Sequence, residues 1–268
     1  MLNPFIKLPI VPIVLGRQDI ILERCYGKRV LHLGCVDAGY MHDRFSRDVL
    51  MHQRLAEVAN DLYGVDIDEP GISFLRDQGF IQLSVGDICR LDQIPEIRRT
   101  VFDVIVAGEV VEHLQNPGMF FESVKTVMQP NRTELIVTVP NAFRFETLRY
   151  LLKGIEYIHP DHNYWFSYQT ISNLFTKNRF AITDIAVYTL QPYHLLPDSI
   201  RARFVHAKGT SKIDIPDRPH TQKAIAFGAR LSHYVKSIPR RLLLSWLYRR
   251  TPFWGDGLVV FGKAQEDS

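Results

Sequence analysis

Short β-branched runs alternate with longer amphipathic segments through the first two thirds of this 268-residue chain, and that alternation limits the fold more than any other feature. A period-two strand followed by a period-3.6 helix, repeated, packs as a parallel sheet with helices on both faces. The predicted strands are 29–33, 62–66, 82–85, 102–107, 134–139, 182–190 and 257–263. Seven strands suit one doubly wound α/β domain, 29–268, preceded by an extension and lead-in helix over 1–28. Asp68 before Glu69 and Pro70, and Asn116 before Pro117, supply a capping side chain and a proline in the first helical turn. Each start lies just past the carboxyl end of a strand, the edge where open α/β sheets bind ligands.

The last strand is separated from the sixth by a proline-interrupted stretch, 191–256, which reads as an insertion. Here composition matters: the chain carries only +3 overall, yet residues 190–254 hold twelve Lys or Arg against three acids, a net of +9 that leaves −6 elsewhere. Within it, 223–250 suits two basic amphipathic helices meeting near Pro239. The expectation is a lid over the acceptor site, with peripheral contact to an anionic membrane through 223–250. Nucleic acid is disfavoured, because the basic residues are spread out with few aromatics between them.

Three cysteines, Cys25, Cys35 and Cys89, are too few for a disulfide scaffold, which points to a cytoplasmic protein. No apolar run reaches the ~18 residues of a membrane span. Residues 4–15 are broken by Pro9 and Pro12 and lack a small-residue cleavage site, so they do not read as a signal peptide.

Residues 30–40, VLHLGCVDAGY, run from a strand into a turn at Gly34 and Gly39, where glycine lets the backbone approach a ligand closely. Asp66 ends the strand LYGVD, placed to accept from both hydroxyls of a ribose. Asp87 in VGDI can accept from an exocyclic adenine amine while the Ile88 backbone meets a ring nitrogen. Singly, each has a plainer reading as a turn or helix cap. A dinucleotide site fits worse, since GxGxxG is absent.

Together with FDVIVAGEVVEHLQNP and ELIVTVPN, these strand ends closely resemble the class I S-adenosylmethionine-dependent methyltransferases, particularly the branch of ubiquinone-type O-methyltransferases and many small-molecule and sugar methyltransferases. The resemblance spans roughly 29–180, with 256–263 matching the closing strand. It implies a sheet order of 3-2-1-4-5-7-6 with strand seven antiparallel. It also implies that S-adenosylmethionine is held by Gly34, Cys35 and Gly39 at the methionine part, by Asp66 with Ile67 at the ribose, by Asp87 with Ile88 at the adenine, and by Glu109. His32, counted with these cofactor contacts, stands where the family has an acid, and the GCVDAG loop is one residue longer than GxGxG. Asp37 is the candidate to restore the carboxylate.

On the acceptor side, Glu109, Glu112 and His113 have the i, i+3, i+4 spacing that gathers side chains on one helical face. In the ubiquinone-type relatives this pattern is associated with a divalent cation, so the resemblance implies a metal site at those three residues. The alternatives are His113 as general base, or Glu109 as a loop cap and His113 as a packed side chain. Residues 156–170, EYIHPDHNYWFSYQT, add His159, His162 and aromatics suited to an acceptor pocket, with His162 as a second candidate base. The plainer reading is a surface loop with Ser167 capping the next helix. Asn141 faces the same edge and is a candidate to orient the substrate. No N/D-P-P-Y/F tetrapeptide and no Pro-Cys nucleophile follow strand four, which leaves a hydroxyl of a small molecule, sugar or lipid-linked glycan as the expected acceptor. The competing function is a noncatalytic or nucleic-acid-directed cofactor-binding module using the basic insertion.

Overall fold

The computed structural model describes residues 5–190 and 252–266. The insertion expected at 191–256, including the basic helices at 223–250, lies outside the described residues except for its last five positions.

One sheet carries the architecture. Its strands are β1 (Ile13–Leu15), β2 (Arg29–Leu33), β3 (Asp61–Asp66), β4 (Leu83–Val85), β5 (Val104–Gly108), β6 (Glu134–Pro140), β7 (Phe180–Thr189) and β8 (Gly257–Ala264), in spatial order β1-β7-β8-β6-β5-β2-β3-β4. Seven of these reproduce the expected order, with β8 antiparallel between β6 and β7. The eighth corrects the sequence reading. Residues 13–15, assigned to an extension, pair in parallel with Val187, Tyr188 and Thr189. A three-residue strand has no periodicity to detect, and its pairing partner lies far away in the sequence.

Alternation along the strands divides the core between two faces, as period-two geometry requires. Leu31, Leu33, Ile105, Ala107, Leu135 and Val137 pack on one side. That side is covered by α5 (Pro95–Arg98), α6 (Pro117–Lys125) and α8 (Tyr168–Lys177) through Ile97, Phe120, Phe121, Ile171 and Phe175. Val30, Val104, Val106, Ile136 and Val259 face the other side, against α1 (Gln18–Cys25) and α3 (Met51–Ala56). A third cluster joins α2 (Met41–Ser46) to α4 (Glu69–Asp77) through Met41, Ile72 and Leu75.

The helix starts follow their signals. Asp68 Oδ1 accepts from Gly71 N at 3.3 Å, and Asn116 Oδ1 accepts from Gly118 N at 3.0 Å. Ser167 and Thr170 form a reciprocal capping box at α8, while α7 (Phe145–Leu151) buries none of its residues. Among the described residues, no helix is long and apolar enough to cross a membrane.

Candidate active site

Because every strand but β8 runs in parallel, the residues that follow them converge on one edge: Arg17 after β1, Gly34 after β2, Asp66 at the end of β3, Asp87 after β4 and Glu109 after β5. Gly34 has φ of +71°, and a Cβ there would meet Val110 Cγ2 at 2.4 Å. The turn therefore closes directly against the segment that follows β5, and only glycine permits it. Asp66 Oδ2 accepts from Val36 N at 2.9 Å and Oδ1 from Asp68 N at 3.0 Å. Asp87 Oδ1 accepts from Cys89 N at 2.8 Å. Ionised carboxylates have about four acceptor sites, so both side chains keep capacity for a ligand's donors. Ile67, beside Asp66, is 76% exposed, and Ile88 is buried.

His32 occupies its expected place at the end of β2 but faces inward. Its Nδ1 lies 3.2 Å from Nδ1 of His52, both rings are buried, and they stack with centroids 5.5 Å apart. Gly64, paired with His32 across the sheet, makes room: a Cβ there would meet His52 Cε1 at 2.8 Å. Burial holds both imidazoles neutral, pushing His52 down to about 3 and His32 well below the ordinary histidine value. Cys35 is likewise buried, its thiol raised by burial and then by Asp66, which suits a packing role. Asp37, in the left-handed region at φ of +59°, is paired with Arg44. Its carboxyl is raised by burial against the pull of Arg44 and Arg17.

Glu109 is also left-handed, at φ of +56°. Its amide donates to Thr138 O at 2.9 Å. Its Oε1 receives Arg17 at 2.8 Å, Tyr188 Oη at 3.0 Å and Thr138 Oγ1 at 3.0 Å. Sequence reasoning missed Arg17, Thr138 and Tyr188. Arg17 and Tyr188 belong to no motif, Thr138 lies within ELIVTVPN without a predicted role there, and Arg17 reaches the site only because β1 joins the sheet.

Glu112 differs from its neighbour. It lies in a 3₁₀ turn, Val111–His113, at 0% exposure, and neither carboxylate oxygen has a hydrogen-bond partner. Burial pushes its carboxyl up to about 7, outweighing the opposite pull of the Glu112 backbone and then of Arg17. His162 Nε2 lies 4.0 Å from its Oε1. Three imidazoles meet beside it: the ring centroids of His113 and His162 are 4.6 Å apart, those of His113 and His159 5.7 Å, and those of His159 and His162 5.2 Å. Burial lowers His113, and His162 is pushed down to about 4 by burial first and then by the other two rings. The two segments are stitched together. Asn163 N donates to Glu112 O and its Nδ2 to His113 O, each at 2.8 Å, and Tyr164 Oη donates to Gln115 O at 2.9 Å.

Among the described residues, the structure does not gather Glu109 with Glu112 and His113 into one ligand group; the group it gathers is His113, His159 and His162. The Val111–His113 segment is a single 3₁₀ turn rather than the α-helical face that the spacing presumes, and Glu109 faces Arg17 instead. Asn141 is fully buried, and its side chain is committed to backbone groups. Its Nδ2 donates to Phe253 O at 2.8 Å and Gly255 O at 2.9 Å, and its Oδ1 accepts from Phe143 N at 3.1 Å, tying the turn after β6 to the approach to β8.

This edge and sheet order define the class I methyltransferase fold. Residues 18–185 match the methyltransferase-domain family, Methyltransf_23, and the chain belongs to it. It is 24% identical over 186 residues to the mitochondrial ubiquinone biosynthesis O-methyltransferase of Arabidopsis thaliana, covering 63% of this chain and 55% of that protein. It is 26% identical over 149 residues to the ubiquinone biosynthesis O-methyltransferase of Hahella chejuensis, covering 53% of this chain and 56% of that one. The chain thus spans little more than half the length of these curated relatives. The fold also superposes on the small RNA methyltransferase HEN1 with a TM-score of 0.51 at 14% identity, over 94% of this chain and 25% of that one.

The family is that of S-adenosylmethionine-dependent enzymes, and the residues present fit the cofactor. Asp66 and Asp87 have acceptor sites to spare for ribose and adenine, and exposed Ile67 offers an apolar wall. The cofactor's amino-acid end carries both signs of charge, and the Asp37–Arg44 and Glu109–Arg17 pairs offer both.

Proposed function

We propose that this protein transfers a methyl group from S-adenosylmethionine to a hydroxyl oxygen of a small molecule, sugar or lipid-linked glycan. S-adenosylmethionine supplies, when bound, an electrophilic methyl on a sulfonium. For the chain's own residues, the work is to align the acceptor, exclude water and take the hydroxyl proton. The observation that carries the reading is Glu112, a buried carboxylate with no hydrogen-bond partner, flanked by His162 and His113 at the strand end that packs on the glycine turn. A buried acceptor without a donor is costly, and such groups are retained where a ligand's proton completes them. Asp66 and Asp87 hold the adenosine, Arg17 and Arg44 face its amino-acid end, and Glu112 with the adjacent imidazoles receives the proton. The acceptor's oxygen chemistry is supported by the names of the two curated relatives.

The test is calorimetric titration with S-adenosylmethionine and S-adenosylhomocysteine, followed by methyl-labelled transfer assays against phenols, sugars and lipid-linked glycans. We expect saturable binding of both cofactor forms and label incorporated as a base-stable methyl ether. Absence of cofactor binding by the folded protein overturns the proposal.

A further inference from the structure

We infer that His113, His159 and His162 form a binding site for a transition-metal dication of the zinc class, completed by the Glu112 carboxylate. The inference goes beyond methyl transfer and does not require it.

Each of the three rings can place one nitrogen in a group whose members all lie within 4.8 Å of one another. Zinc binds imidazole nitrogen at about 2.0–2.1 Å, so small ring rotations close the group around one ion. Three imidazoles and a carboxylate are a nitrogen-rich donor set that suits zinc, cobalt or iron better than magnesium or calcium, which favour oxygen.

A second observation points to the same place. Glu112 is fully buried, both its oxygens lack hydrogen-bond partners, and Oε1 lies 4.0 Å from His162 Nε2. An unsatisfied carboxylate facing a cluster of nitrogen ligands is the arrangement a bound cation would complete.

One ring is also oriented from behind: His113 Nδ1 lies 3.2 Å from Asp161 O, which leaves its Nε2 for a ligand, whereas His159 Nδ1 accepts from Asp161 N at 3.3 Å and must give up that bond to bind an ion through Nε2. Metal-binding histidines characteristically bond a backbone carbonyl through their other nitrogen. The clamp from Asn163 and Tyr164 onto residues 112–115 fixes the two contributing segments before any ion arrives.

This set differs from Glu109, Glu112 and His113. It replaces Glu109, which Arg17, Tyr188 and Thr138 already occupy, with two histidines from a segment about fifty residues later in the sequence. An ion held by the three rings and Glu112 takes up the groups that the methyl-transfer reading uses as proton acceptors, so the two readings are alternatives for the same residues.

The full-length protein, stripped with EDTA, is titrated with zinc chloride by calorimetry and with cobalt chloride by visible absorption. We expect one ion per chain and the intense visible bands of four-coordinate cobalt. His159→Ala, at an exposed position, and His162→Ala should each weaken zinc binding at least about tenfold, roughly 1.4 kcal/mol, while Glu109→Gln leaves it unchanged. Circular dichroism confirms that each variant is folded. Three results overturn the site: no stoichiometric binding by the wild type, undiminished binding in the His159→Ala/His162→Ala double variant, or loss of binding in Glu109→Gln with retention in His159→Ala. Titration with S-adenosylmethionine in the same samples separates the two readings, because failure there breaks the methyl-transfer proposal and leaves the zinc result standing.

Discussion

Two histidine groups sit in this molecule, and they resemble each other only in composition. His32 and His52 lie under the glycine turn, stacked and buried, with no carboxylate between them and Gly64 making room for the ring. His113, His159 and His162 lie past β5, partly open, beside a buried carboxylate and held by a clamp from another loop. In the first pair the two rings serve each other, one Nδ1 donating to the other. In the second group, the Glu112 oxygens are left without a donor, so this is the group that can take up something from outside. An imidazole's surroundings, rather than its presence near a strand end, separate a packing element from a reactive one.

The largest effect that would sharpen this contrast is on turnover. Glu112→Gln removes the buried proton acceptor and should lower kcat by about 10²–10⁴-fold while leaving S-adenosylmethionine affinity within a few-fold. Unchanged kcat would place the proton acceptor elsewhere.

The next effect concerns the inner pair and has a definite sign. An unfolded histidine takes up its proton near pH 6.5, whereas folded His52 does so only near 3, and His32 is shifted in the same direction. Their neutral forms therefore contribute stability that is complete above about pH 6.5 and is lost as pH falls toward 3. The expected slope is about 1.4 kcal/mol per pH unit for each buried ring. Urea unfolding across that range should show it, and His52→Leu should reduce the slope by about one proton. A slope identical in wild type and His52→Leu would mean that His52 does not stay neutral in the fold.

Cofactor affinity supplies a smaller effect. Asp66→Ala should weaken S-adenosylmethionine binding by about one to two decades, roughly 1.5–3 kcal/mol. Part of that loss comes from freeing Val36 N and Asp68 N, so Asp66→Asn, which keeps an acceptor, should lose less in the same calorimetric assay. Equal losses would assign the whole effect to charge.

Smallest is Tyr188→Phe. Its hydroxyl is one of three donors to Glu109 Oε1, so removal should cost about 1 kcal/mol in thermal or urea unfolding, with Arg17 and Thr138 still in place. A loss of several kcal/mol would show that the three donors act as a unit.

Local chemistry determined what the sequence could settle alone. Alternating apolar residues specified seven strands and their two faces, because the side-chain period of a strand is fixed by its backbone. Asp68, Asn116 and Ser167 marked their helices because a cap acts within three residues. Gly34, Asp66 and Asp87 stood out because a strand end facing a ligand needs those residue types at that spacing. Tertiary structure decided the rest. β1 pairs across more than 170 residues and brings Arg17 to Glu109. His32 lies near the end of β2 among the residues expected to hold the cofactor, but its side chain packs against His52 inside the fold. His159 and His162 join His113 only because Asn163 and Tyr164 bind residues 112–115. Each of these depends on contacts between segments far apart in the chain, and on burial, which is a property of the packed molecule and of no short stretch of its sequence.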